Sequence, residues 1–160
     1  PAIGDVYKLA AIKRGDEFIP KIKLSENQWK ITNPGNKTVY RIYEKDTGKI
    51  KADLIAMADE VYDENSPLML FDPMATWKKT YLKAGSYTIR ELLVPVFLNG
   101  ACVYESPEVM DIRAYCLKEL DTLWEETRRL VNPHDVYVDL SNELFQMKNR
   151  LLDNLNTHRD

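Results

Sequence analysis

The apolar residues of this chain change their spacing once, close to Ser106, and that change bounds the fold. Before it they come in short alternating or clustered runs, with Gly, Pro, Asn and Asp between the runs. Strands need this pattern, because successive side chains of a strand point to opposite faces. After it they recur every third or fourth residue, the period of an amphipathic helix. Strands first and helices afterwards predict an α+β fold rather than repeated β–α–β units. The expected architecture is a β-rich body of short, mostly antiparallel strands and hairpins over residues 1–106, followed by two amphipathic helices in a C-terminal segment over 107–160.

Residues 6–13 (VYKLAAIK) and 18–24 (FIPKIKL) read as strands about a Gly15-Asp16 turn, and Pro20 points to an edge. Ser25 suits the cap of a single helical turn reaching Lys30. Asn33-Pro34-Gly35-Asn36 is a turn signal. A hairpin follows, from 37–44 (KTVYRIYE) through Asp46-Thr47-Gly48 to 49–57 (KIKADLIAM). Residues 58–67 are polar and acidic and predict a loop, and Leu68 to Phe71 is a short apolar run. A second hairpin is expected from 86–98 to 101–105 about Asn99-Gly100, a favoured two-residue turn. Ser106-Pro107-Glu108 opens a helix whose spacing continues from Val109 to Val131, until Asn132-Pro133-His134 stops it. The second helix is placed from about Ser141 to Leu155, with Leu144, Met147, Leu151 and Leu155 on one face and Asp139 or Ser141 as its cap.

Composition narrows the functions. The formal net charge is -3 and the pI about 5.5, which gives no general attraction for nucleic acid or anionic lipid. No apolar run reaches the ~18 residues of a membrane helix, and the stretch from Leu92 to Leu98 is broken by Pro95. Cys102 and Cys116 have neither metal-ligand spacing nor the number for a disulfide framework, so we expect buried thiols in a reducing, cytoplasmic setting. The chain opens with Pro1 inside a strand-like pattern, which we read as part of a longer protein.

Reaction chemistry is sparse. The sequence has no glycine-rich phosphate loop of the dinucleotide or nucleoside-triphosphate type. His134 reads as a turn residue after a helix, and His158 lies in the tail. Neither cysteine has a histidine near it in sequence to activate it. Asp59-Glu60 and Asp63-Glu64 read as a solvated loop, since nothing forces their oxygens to converge on a cation. We therefore assign no catalytic residue and no metal ligand. The segment from Lys21 to Arg41 differs: Lys21, Lys23, Lys30, Lys37 and Arg41 surround a tight turn, and turn amides with nearby ammonium groups can hold an anion. Lys30, Gly35 and Lys37 are the phosphate-binding candidates. The other reading is an edge strand whose lysines discourage aggregation.

Four segments, in order, resemble the C-terminal region of the bacterial-type nicotinate phosphoribosyltransferase family. They are PAIGDVYKLAAI, KIKLSENQWKITNPGNKTVYRIYE, RELLVPVFLNGACVYESPEVMDIRAYCLKEL and LVNPHDVYVDLSNELFQMKNRLL, and together they extend over nearly the whole chain. One departure is Gly4-Asp5, where the family pattern has two glycines before VYKL. The resemblance implies a parent enzyme that joins nicotinate to phosphoribosyl diphosphate with ATP hydrolysis and Mg2+, in NAD salvage. It implies that the barrel and the catalytic histidine lie upstream of Pro1, and that the partners are that barrel and a second subunit. This chain by itself is expected to bind no cofactor and to be inactive. It further implies that Lys30 and Lys37 serve a phosphate of the partner subunit, while Arg41 orients its strand or pairs with an acid. A non-catalytic interaction or structural module is the alternative.

Overall fold

A computed structural model describes residues 7–27 and 30–157, with the side chains of 156 and 157 left out of the description. The expectations at Val6, at the GD pair of residues 4 and 5, at residues 28 and 29 and at His158 lie outside the described residues. Among the described residues ten strands and three helices follow one another, so the α+β class holds. The strands are β1 (Ala11–Arg14), β2 (Glu17–Pro20), β3 (Lys37–Glu44), β4 (Ile50–Met57), β5 (Leu68–Phe71), β6 (Lys79–Leu82), β7 (Tyr87–Glu91), β8 (Phe97–Leu98), β9 (Ala101–Cys102) and β10 (Val138–Leu140). The helices are α1 (Val109–Asp121), α2 (Glu125–Arg128) and α3 (Asn142–Thr157).

The centre is a four-stranded sheet in the order β10-β4-β3-β7. β3 and β4 form the expected hairpin, pairing Val39 with Ile55 and Ile42 with Ala52. In β4 the residues Ile50, Ala52, Leu54 and Ala56 are all buried, the period-two pattern of a strand with one face on a core. Ile42, Ala52, Leu54 and Tyr87 of this sheet pack with Leu68, Leu70 and Leu82 from the β5-β6 hairpin. Tyr87 keeps its buried hydroxyl satisfied by donating to the carbonyls of Asp63 and Ser66. α3 covers the other end of β4 through Leu144, which is fully buried, and Phe145, which meets Phe71 edge to face at 5.2 Å.

Several expectations need correction. Residues 18–24 are a strand only to Pro20, and the strand expected over 6–13 starts at Ala11. Residues 86–98 do not form one strand: β7 ends at Glu91 and pairing resumes only at Phe97. The Asn99-Gly100 turn itself is present, with φ of 49° and 81°. The single helix expected over 109–131 is two, α1 and α2. α1 stops because tertiary partners take its last groups. Lys49 Nζ donates to the carbonyls of Asp121 and Leu123, Ile50 N donates to that of Thr122, and Thr122 Oγ1 turns back to that of Glu119. α1 is also not amphipathic in its packing, since none of its residues is buried. Its N-cap is Glu108, without a side-chain cap bond, rather than Ser106. β6 and β10 were not expected. β10 lies in the segment read as helical, yet it pairs in parallel with β4, Asp139 opposite Leu54.

The acidic loop is less solvated than its composition implies. Glu60 accepts from Met57 N, Tyr62 Oη and the hydroxyl of Ser141, and Glu64 accepts from Ile89 N. The loop thereby ties β4 and β7 to the start of α3.

Candidate functional site

The turn at Asn33-Pro34-Gly35 is buried against the β1-β2 hairpin and α3. Gly35 donates its N–H to the carbonyl of Ala10 at 2.8 Å, so that amide does not face an anion. Its φ is +90°, and a Cβ there would meet Met57 Cε at 2.9 Å. Both facts demand glycine. Lys37, the first residue of β3, turns its ammonium back onto the Gly35 carbonyl at 2.7 Å. Lys148 on α3 donates to Asn33 Oδ1 at 2.8 Å. Burial lowers the pKa of both lysines. The turn is thus gripped by two partly desolvated ammonium groups, each keeping further N–H donors. Sequence reasoning missed Lys148; the available signal was its place four residues after Leu144, on the buried side of α3. Lys30 sits apart: it is exposed, its carbonyl accepts from Lys8 Nζ at 3.1 Å, and no hydrogen bond ties it to the turn.

A second cluster lies on the face of the sheet away from the core. Arg41 and Asp53 are cross-strand partners, as are Arg41 and Arg90. Arg41 holds both oxygens of Asp53, at 2.7 and 2.8 Å. Arg90 holds both oxygens of Glu119, at 2.8 and 2.6 Å, and Arg41 reaches Glu119 at 3.4 Å. The hydrogen bond to Asp53 holds the Arg41 guanidinium charged, and that of Arg90 pulls the Glu119 carboxyl below its ordinary range. These charges are matched in pairs, so this cluster fastens α1 to β3 and β7. Arg41 does pair with acids, as the sequence implied.

The expected buried thiols are both exposed. Cys102 lies on β9 and Cys116 on α1, and apolar side chains of β8, α1 and the neighbouring chain are uncovered too. Phe97 is 67% exposed, Val109 76% and Met110 67%, with Leu93, Val94, Leu98, Val103, Ile112 and Tyr115 also exposed. Exposed apolar side chains in this number suit a surface that another part of a protein covers. His134 is a turn residue as read, its N–H donating to the carbonyl of Glu126 at 2.9 Å. Among the described residues no group of three or more His, Cys, Asp or Glu is placed to hold a metal ion, and no helix is long and apolar enough to cross a membrane.

Comparison with known proteins agrees with this picture of a part. Residues 36–148 match the family model for the nicotinate phosphoribosyltransferase C-terminal domain. The nicotinate phosphoribosyltransferase of Bacillus subtilis (strain 168) is 35% identical over 92% of this chain and 30% of its own length. The human nicotinate phosphoribosyltransferase is 32% identical over 94% of this chain and 27% of its own length. In fold, the chain resembles the crystal structure of human nicotinic acid phosphoribosyltransferase, with a TM-score of 0.66 and 24% identity, over 74% of this chain and 23% of that one. The chain therefore spans under a third of the length of these relatives. A match over residues 36–148 takes in the central sheet and most of the helical segment, and on it this chain belongs to the nicotinate phosphoribosyltransferase family, as a C-terminal domain.

Proposed function

We propose that this chain is the non-catalytic C-terminal part of an enzyme that joins nicotinate to phosphoribosyl diphosphate, forming nicotinate mononucleotide and diphosphate with ATP hydrolysis in NAD salvage. The observation that carries this reading is the family match over residues 36–148, joined to a chain whose polar clusters are structural. The reaction centre belongs to the rest of the enzyme, a barrel docked on the uncovered β8-β9 arm and α1. The whole works as a cytoplasmic homodimer, without nucleic acid or membrane. ATP and Mg2+ act in the parent enzyme, and the described residues offer no cluster fit to hold the metal. The division at residue 106 follows the change of period, while β10 and α3 pack back onto the strands before it. The test is turnover. The 160-residue chain is expected to form no nicotinate mononucleotide, while the full-length enzyme does; robust formation by the chain alone contradicts the reading.

Within that enzyme, Lys30 and Lys37 about the Gly35 turn lend positive charge to a phosphate at the subunit interface. Cations over a departing diphosphate are what this transfer needs. The reading is supported by the half-buried ammonium of Lys37, incompletely hydrated and bonded to the same turn that Lys148 of α3 grips. The Gly35 amide, bonded to Ala10, contributes shape rather than a donor. Lys30→Ala and Lys37→Ala in the full-length enzyme are expected to raise KM for phosphoribosyl diphosphate by roughly tenfold, the effect of losing a charge-assisted bond of ~1.5 kcal/mol. Unchanged kinetic constants leave these lysines as surface charge.

A further inference from the structure

A cleft of about 1110 Å³ opens between β4, the ends of β5 and β6, α2 and β10. Asp139 lines it from β10, Asp72 from the turn after β5, and Trp124 from the start of α2. Asp139 is 6% exposed, and its carboxylate has no hydrogen-bond donor among the described residues. The charge that acts on it is that of another acid, Asp72, whose Oδ1 accepts from Met74 N at 2.8 Å. The basic groups around the cleft do not compensate it. Lys51 is engaged with Glu44 at 2.7 Å, and Lys78 is exposed. His134, Tyr137 and the acids Glu126 and Asp135 complete the charged or titratable lining.

A carboxylate with this little solvent and no donor is disfavoured in its ionised form. A chain can avoid that cost by keeping the proton or by receiving a cation. Burial first, then Asp72, hold the Asp139 carboxyl up at about 6, so near neutrality it has mostly lost its proton and still lacks a donor. A metal ion is a poor match, because the described residues place no third ligand. A planar guanidinium is a good one, because it offers paired donors to a carboxylate; the Trp124 ring already carries the Lys51 ammonium at 5.7 Å.

We propose that this cleft is a receptor for a guanidinium group, which Asp139 binds as an ion pair with Asp72 adding negative potential. The group comes either from an arginine in the rest of the enzyme or from a small guanidine in solution. The inference stands apart from which reaction the parent performs.

Carboxyl 13C NMR of aspartate-labelled protein tests it, with Asp139→Asn assigning the resonance. The probe is methylguanidinium, and tetramethylammonium, which has no N–H donor, is the control. In the 160-residue chain the Asp139 titration is expected near 6 and, with the probe, below its ordinary 3.8. That movement is roughly a hundredfold preference of the cation for the ionised form. The full-length enzyme decides the matter. A titration already low and deaf to the probe supports the proposal and identifies an arginine of the polypeptide. A high titration that falls with the probe, and not with the control, supports it and identifies a free ligand. An Asp139 carboxyl that stays near 6 in the full-length enzyme with and without the probe overturns the proposal, whatever the shorter chain does.

Discussion

Ser141 follows β10 and begins α3, and its hydroxyl serves both. It accepts from Leu144 N at 3.1 Å, the bond of an N-cap to the third residue of the helix, and donates to Glu60. Ser141→Ala removes the cap and leaves the Glu60 carboxylate one donor short, so unfolding in urea is expected to show a loss of about 1–2 kcal/mol. Gly35→Ala places a Cβ 2.9 Å from Met57 Cε in left-handed backbone. We expect it to cost about 1–3 kcal/mol, measured in the same way. Both residues were legible in the sequence because caps and turns are local. Asp139 was legible only as a rival cap, since its burial comes from β4 and from the chain around Asp72, far away in sequence. Its folded pKa is raised from 3.8 to about 6, so the folded state binds the proton more tightly than the unfolded chain does. Stability should therefore fall as pH rises through that window and stay reduced above it. Asp139→Asn in this chain should flatten the dependence and add on the order of 2 kcal/mol near neutral pH. Urea denaturation of the two proteins at several pH values checks the sign.

Elements were legible where their pattern is local and their partner adjacent. The β3-β4 hairpin has alternation, β-branched residues and a turn within one stretch, and it formed as expected. β10 is three residues long, and its partner β4 lies some eighty residues earlier, so nothing near it announces a strand. β6 (KTYL) buries only Leu82 and carries no alternation to read. α1 shows the converse. Its period is plainly helical, and it is a helix, but the face that the period implies is not covered within this chain. What holds α1 is polar, namely Glu119 on Arg90 and Arg41, with Lys49 at its C-terminal carbonyls. Glu119→Gln should loosen α1 without unfolding the sheet. Amide exchange in this chain is expected to speed up severalfold over α1 while β3 and β4 keep their protection. Unchanged exchange over α1 would mean that the apolar side chains, not the ion pair, retain the helix.

At the scale of the molecule, the chain has a core between its central sheet, the β5-β6 hairpin and α3, and an uncovered apolar arm and helix on the other side of that core. Burial of apolar area is favourable by roughly 25 cal/mol per Å², so several exposed side chains of the size of Phe97, Met110 and Ile112 represent a sizeable unmet drive for association. In the proposed reading, the rest of the enzyme meets it. The most direct measurement is hydrogen exchange over residues 92–120, compared between the 160-residue chain and the full-length enzyme. Docking of the arm and α1 on the rest of the enzyme predicts slowing of roughly tenfold or more across β8, β9 and the first half of α1, with β3 and β4 nearly unchanged. Identical exchange of residues 92–120 in the two proteins would contradict it.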